Sequence, residues 1–515
     1  MTTSNPTLAS VPAPLTGTAL VLAGVVLAVT NFMVVLDTTI ANVSVAHIAG
    51  GLGISSSEGT WVITSYAVAE AICVPLTGWL SKRFGTVRVF AGGMMGFGLF
   101  SMLCGMAPSL AALVAFRIGQ GICGGPLMAL SQTLLLRVFP KDKHAMTMGI
   151  WAMTTLTAPI FGPILGGTIS DSWGWHWIFY INVPIAALCS VLAWTVLRKA
   201  ETELVKERID GVGLALLVLW VGALQLMLDL GREHDWFGAA MITRLALIAG
   251  IGFLAFLIWE LTEKQPVVDL RVFRHRGFSV AVTALVFAYG TFFASLVVIP
   301  QWLQGAMGYT ATWAGYATAF NGVAAVLMAP IVAKRMVTVD PRRLVCIGIL
   351  WLGATSLLRV FWWDSSSDFW TLALPQLIQG AGMPFFFVPL TTIALGAVEE
   401  EETASAAGVM NFLRTMAGAV AVAISTTLWY DGAQEKRASL SGVLNGAQAT
   451  MDQLTARGFS VEQARLIVSQ LVDKESVALA TGQTFVLAAC VFAAAASIIW
   501  LAPRPTRAVD TSAAH

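Results

Sequence analysis

The chain has 515 residues, of which 57% are hydrophobic and only 11% charged, against about 25% charged in an ordinary soluble domain. Its 30 Lys and Arg balance 29 Asp and Glu, so no basic surplus exists to meet nucleic-acid phosphates. A large soluble enzyme and a disordered chain are both excluded, and a polytopic membrane protein remains.

Residues 1–17 carry no charged side chain. No basic segment or small-residue cleavage site precedes the first apolar run, so the first helix is expected to stay in the mature protein. Apolar segments then follow at 18–46, 58–81, 87–107, 109–138, 143–170, 175–197, 209–229, 240–261, 278–304, 311–334, 342–362, 369–397, 403–430 and 480–502. These predict fourteen transmembrane helices, because lipid leaves the backbone no other partners at such lengths. Below they are called spans 1 to 14.

Lys and Arg set the orientation. With the N-terminus inside, the inner loops hold Lys82, Arg83, Arg88, Arg137, Lys141, Lys143, Lys206, Arg208, Arg271, Arg274 and Lys334, among others. The outside holds fewer, including Arg232, Arg244 and Arg359, and most of the rest fall in one long loop. Both termini are therefore expected in the cytoplasm. In the polar outer segment 431–479, Ser460 followed by Glu462 and Gln463 predicts the start of a short amphipathic helix.

The two ends of the chain repeat one another. Gly78 to Arg83, ending in Lys-Arg, recurs 252 residues later as Pro330 to Arg335, and Gln120-Gly121 recurs 259 residues later as Gln379-Gly380. Paired six-helix halves with a site between them are a transporter architecture. The expected organisation is a tail (1–17), a first half (18–197), an inserted helix pair with its loops (198–276), a second half with the outer loop 431–479 (277–503), and a tail (504–515). In the repeat, Gln376 stands where the first half has Arg117. Glu399 to Glu402 stand where it has a basic loop, which raises the prospect that they face Lys82, Arg83, Lys141 or Lys143 across the cleft.

Ionisable groups within a membrane mark function by default. Asp37 in span 1 shares a helical face with Thr30 and Ser44, and Arg117 in span 4 shares one with Gln120, Gly121 and Gly124. Such a carboxylate serves as a proton carrier or as a fixed salt-bridge partner. Glu70 in span 2 is a second candidate acid. Arg414 in span 13 lacks an acidic partner in sequence and suits a helix end or an anionic substrate. Asp229 and Glu260 sit near span ends and read as interfacial. The six cysteines (Cys73, Cys104, Cys123, Cys189, Cys346 and Cys490) read as inert and buried, without metal spacing. Span 5 carries Pro159, Gly162, Pro163, Gly166 and Gly167, a spacing that permits close, bent packing. Aromatic and polar groups expected to line the cleft are Trp151, Met153, Tyr289, Phe292, Phe293, Gln301, Asn321, Phe385, Phe386, Phe387, Asn411 and Arg414.

Several stretches carry a family resemblance. They are Leu36 to Val43, Gly59 to Tyr66, Gly78 to Gly85 with Lys82 and Arg83, Arg117 to Gly121, Ala158 to Gly167, and Trp175 to Pro184. Together they resemble the fourteen-helix drug:proton antiporters of the major facilitator superfamily, and most nearly the EmrB-type multidrug efflux pumps. The resemblance implies an all-α major facilitator fold with no enzyme activity and no cofactor beyond the coupling proton. It implies Asp37 as coupling carboxylate with Arg117 as its partner, and a bacterial inner-membrane location. It also implies a periplasmic adaptor (EmrA-type) and an outer-membrane channel (TolC-type) as partners. The loop motif departs from the family pattern at Lys82, where an Asp is usual, and His176 stands where an Arg is frequent. The expected function is proton-coupled export of lipophilic toxic compounds. A dedicated exporter of one metabolite or siderophore is the alternative, with a non-transporting receptor or intramembrane enzyme more remote.

Overall fold

A computed structural model describes residues 15, 17–140, 143–205, 209–232, 234–336, 338–443 and 447–504. Most of both tails (1–14, 16 and 505–515), and Lys141, Lys206 and Arg208, lie outside the described residues, as do the side chains of Pro159 and Pro163. The described secondary structure is helical, and twelve helices are long and apolar enough to cross a membrane, thirteen when one bent pair counts as a span. The 30-residue helix His144–Trp173 stands at the fifth expected position.

Four spans differ from the sequence expectation. Span 2 is two helices, Trp61–Cys73 and Thr77–Phe84, meeting at 61°. The break falls at Pro75, which lacks the N–H a continuous helix needs. Span 6 is likewise split into Trp177–Tyr180 and Asn182–Leu197. The outer segment 431–479 is no loop. Span 13 runs unbroken over Thr403–Val443, a short helix occupies Ala447–Ala456, and span 14 runs over Val461–Ile498. Ser460 and Gln463 form the reciprocal capping box their spacing implies, yet the helix they start is the last span itself. Polarity there marks the exit from lipid rather than the end of a helix, and Arg437 ties the two extensions together through Asp473 at 2.7 Å.

The spans form two groups that meet at small residues. At the expected cytoplasmic end a Cβ on Gly78 would overlap Ser405 of span 13, and one on Gly408 would lie 3.1 Å from the Val74 carbonyl. Span 5 packs on span 1 through Gly162 against Thr39 and Gly166 against Ile40, and its other side lies along span 10. The inserted span 7 (Gly211–Leu230) lies against spans 2 and 13, one from each group. Its Trp220 ring meets Phe253 and Phe256 of span 8 and Phe412 of span 13.

Loops are held by caps. Gly85 has φ +92°, and Glu201 fills the space a Cβ would need there. The Glu201 carboxylate accepts from the backbone N–H of Val87 at 2.9 Å and of Arg88 at 3.1 Å, meeting the positive end of span 3. This acid on the far side of span 6 anchors the turn at Gly85, which follows the helix that carries Lys82. Glu402 pairs with Arg274 at 2.9 Å and His275 at 2.8 Å, and Glu399 with Arg274 at 3.7 Å. The glutamate run thus engages the connector after span 8, a pairing its sequence position did not suggest. Glu260 is buried rather than interfacial and accepts from the Val268 N–H. Cys490 is exposed, against expectation, while Cys73, Cys104 and Cys189 are buried. Span 11 begins at Asp340, whose carboxyl is held below the usual carboxylate range by the Arg342 guanidinium.

Glycine packing yields a direct test. A Cβ on Gly380 would overlap the Asn321 carbonyl oxygen, whereas one on Gly222 would meet nothing within 4 Å. Gly380→Ala should destabilise by about 1–3 kcal/mol, and Gly222→Ala should be neutral or stabilising by up to about 1 kcal/mol. Thermal unfolding in detergent reads both.

Candidate functional site

The first polar cluster joins spans 1, 4 and 6 around Asp37. This carboxylate is 2% exposed and Arg117 is 0% exposed. Arg117 Nη1 donates to Asp37 Oδ2 at 2.6 Å, while Gln120 Nε2 and Asn182 Nδ2 donate to Oδ1 at 3.0 and 2.6 Å. Arg117 Nε donates to the Val62 carbonyl at 3.0 Å, and its guanidinium lies 4.2 Å from the centre of the Tyr66 ring. Asn182 is in turn fixed by Ser101, whose hydroxyl donates to the Phe179 carbonyl. The carboxylate therefore accepts from three side chains, a set suited to its ionised form. One added proton removes an acceptor site and the charge that holds Arg117.

Small residues make this approach possible. A Cβ at Gly121 would lie 2.6 Å from the Tyr66 carbonyl, and one at Gly125 would lie 2.9 Å from the Glu70 carbonyl. Spans 2 and 4 thus touch along their backbones, setting Tyr66 over Arg117 and Glu70 one turn further on. Among the described residues the Glu70 carboxylate has no hydrogen-bond or ion-pair partner. Arg117 and Arg414 are the cations whose fields reach it.

The second cluster surrounds Arg414 and draws on both halves. The guanidinium lies 5.2 Å from the Tyr289 ring centre, and 5.7 Å from those of Trp151 and Phe387. Met128 of span 4 touches it through sulfur. Trp151 and Phe387 stack at 6.3 Å, Tyr289 stacks on Phe293 at 5.7 Å, and the Trp151 indole donates to Ser131. Cation–π contacts hold the charge without neutralising it, so an aromatic-walled cation stands at the junction of the two halves.

The other expected cleft residues divide. Asn411 donates to Gln132 at 2.6 Å and ties span 13 to span 4. Phe292 is buried in the core, and Met153 is half-buried. Phe385 and Phe386 pack against Gly348 of span 11, so of the three phenylalanines only Phe387 meets Arg414. Gln301 is half-buried, with an amide oxygen that lacks a donor. Asn321 donates to Gln379 at 3.2 Å and belongs to a third cluster.

That third cluster was not foreseen. Arg359, counted with the outer residues although it falls within the expected span 342–362, lies inside span 11 (Pro341–Trp362) and is 0% exposed. Its Nη2 donates to Gln376 at 2.7 Å and to Gln379 at 2.5 Å, and its guanidinium sits over Trp363 and Phe485. The following Val-Phe-Trp-Trp-Asp reads as an interfacial end, which masked it. The repeat held the signal: a shift of 258 places Arg359 on Ser101, and the shift of 259 found for span 12 places Gln376 and Gln379 on the Arg117 and Gln120 positions.

A two-halved bundle with a buried acid–base pair on one side and a caged cation between the halves defines a membrane transporter with a central site. The profile of the major facilitator superfamily matches residues 27–428. The chain is 42% identical to the multidrug export protein EmrB of Escherichia coli K12, over 96% of its own length and 97% of that protein. It is 39% identical to the fatty acid resistance protein FarB of Neisseria gonorrhoeae, over 96% and 98%. The solved structure of the proton:xylose symporter XylE superposes with a TM-score of 0.58 at 14% identity, covering 95% of this chain and 96% of that one. The chain belongs to the major facilitator superfamily, in its EmrB-like branch.

Removing one member of the Asp37–Arg117 pair leaves a charge or donor set buried and unmatched. Arg117→Met should cost about 3–5 kcal/mol, whereas Arg117→Met combined with Asp37→Leu should recover much of that loss. Apparent melting temperatures of the single and double variants decide, and equal losses would remove the pair from the stability account.

Proposed function

We propose that this protein is a proton-coupled multidrug efflux antiporter that exports lipophilic compounds by alternating access. The observation that carries the reading is the Asp37 site, a buried carboxylate held by three donors on two other spans. Protonation of Asp37 cancels its attraction for Arg117 and frees spans 1, 4 and 6 to shift against one another. Deprotonation re-forms the cluster. Glu70, without a partner of its own among the described residues, is a second station for a proton between Arg117 and the central site. A proton moving down 100 mV supplies about 2.3 kcal/mol, or roughly 50-fold accumulation per proton.

Substrate sits at the Arg414 cage, where Trp151, Tyr289 and Phe387 offer flat apolar surface and Arg414 offers a charge. Pockets that are mainly apolar with few polar anchors suit chemically varied lipophilic guests. An unneutralised cation favours guests that carry an anionic group, and the name of the fatty acid resistance relative supports that preference. The protein lies in the bacterial inner membrane with both termini in the cytoplasm, as the Lys and Arg asymmetry favours. The helical hairpin beyond spans 13 and 14 is the surface offered to an EmrA-type periplasmic adaptor, which a TolC-type channel would continue across the outer membrane.

Drug-evoked proton movement in proteoliposomes tests the coupling. Wild type should show it, and Asp37→Asn should lose it while still binding drug. Equal proton movement in both would transfer the coupling role to Glu70 or elsewhere, and drug transport without any proton movement would overturn antiport. Arg414→Gln should weaken binding of lipophilic carboxylates roughly 10- to 100-fold, with little effect on neutral compounds of similar size. Equal weakening of both classes would reduce Arg414 to a packing role.

A further inference from the structure

The two halves repeat a polar cluster at matching positions, but only one of them is electrically complete. In the first half Arg117 faces Asp37. In the second, Gln376 occupies the arginine's place in the repeat, and Arg359 brings a guanidinium to it from the neighbouring span. Span 9, the counterpart of the span that supplies Asp37, has no acidic residue anywhere along Arg276–Gly305. Spans 10, 11 and 12 contain none either.

Arg359 is fully buried, and among the described residues it forms no ion pair. Its Nε and Nη1 lack any acceptor, as does Nε2 of Gln379, the amide that contacts it. Trp302, stacked at 5.2 Å on the Trp363 ring that lies against Arg359, has an idle indole N–H as well. The nearest acids in sequence are engaged elsewhere: Asp364 is exposed and accepts from Ser366 and Ser367, and Asp368 caps span 12. A guanidinium does not shed its charge. Buried donors without acceptors are costly, and a buried charge without a counter-charge more so. The aromatic rings of Trp363 and Phe485 offset part of this, but they accept no N–H in the guanidinium plane.

We infer that the Arg359 cluster is a binding site for a small inorganic anion, with chloride as the occupant, which takes the place of the carboxylate that Asp37 supplies in the first half. Water would satisfy the idle N–H groups but would leave the charge uncompensated. The anion is a structural counter-ion of the second half and is independent of the drug and proton sites.

The test is thermal unfolding of the purified full-length protein in detergent, with chloride exchanged for gluconate, a bulky anion that the enclosed site excludes. Wild type should gain about 2–4 °C on adding chloride to saturation. Gln376→Glu places a carboxylate within reach of Arg359 Nη2 and should melt at the same temperature in both salts. This variant retains the guanidinium and the side-chain length, so it keeps the test decisive even where Arg359→Gln does not fold. A wild-type protein indifferent to chloride would overturn the site. So would a Gln376→Glu protein that gains as much as wild type.

Discussion

An arginine cannot be left alone in a medium of low dielectric, and most of this architecture follows from where its buried guanidinium groups find compensation. Arg117 finds a carboxylate, and to reach it spans 1, 4 and 6 must converge on one point. Gly121 and Gly125 also let span 2 lie close against span 4, which brings Tyr66 over the guanidinium. The convergence needs Asn182 and Gln120 to occupy the second carboxylate oxygen. The pair is thus a fastening whose hold rests on one charge, the Asp37 carboxylate that draws three helices together.

The halves descend from one pattern but now carry different electrostatics. Arg117 is neutralised by an acid, Arg414 is surrounded by aromatic faces, and Arg359 lies among amides and rings. The carboxylates of the polar clusters, Asp37 and its neighbour Glu70, belong to the first half. Under the proposed mechanism, protons would have stations on one side of the central site, while the other side is fixed in charge. A machine whose two halves rock as units gains from such a division. On the proposed reading, one half would change its internal bonding with protonation, and the other would supply a constant frame against which the change acts.

Much of this was legible in residue order. Fourteen apolar runs gave each span its place, and Asp37 and Arg117 stood out because charge in lipid is rare. Arg414 stood out for the same reason, but its aromatic cage draws on spans 5, 9 and 12, which no local pattern relates. Arg359 was hidden by its setting, since an arginine beside two tryptophans at a span end is the ordinary look of a membrane boundary. The break in span 2 was written in Pro75, yet hydropathy does not register a bend. Segment 431–479 misled for a simpler reason. A helix that leaves the membrane changes its surface chemistry but keeps its backbone hydrogen bonds, so polarity alone cannot end it.

That continuity has a mechanical consequence. Thr403–Val443 is one helix of 41 residues, roughly 60 Å of nearly rigid rod. Ser405 near its start touches Gly78, Arg414 lies at the central site, and its last turns stand beyond the bilayer, tied at Arg437 to the span 14 extension. Pivoted about Arg414, a tilt of about 10° would sweep the outer tip by roughly 7 Å. The rod is a lever whose short arm rests on the inner closure. A load placed on the hairpin end of the rod would bear directly on the Gly78–Ser405 contact at its other end.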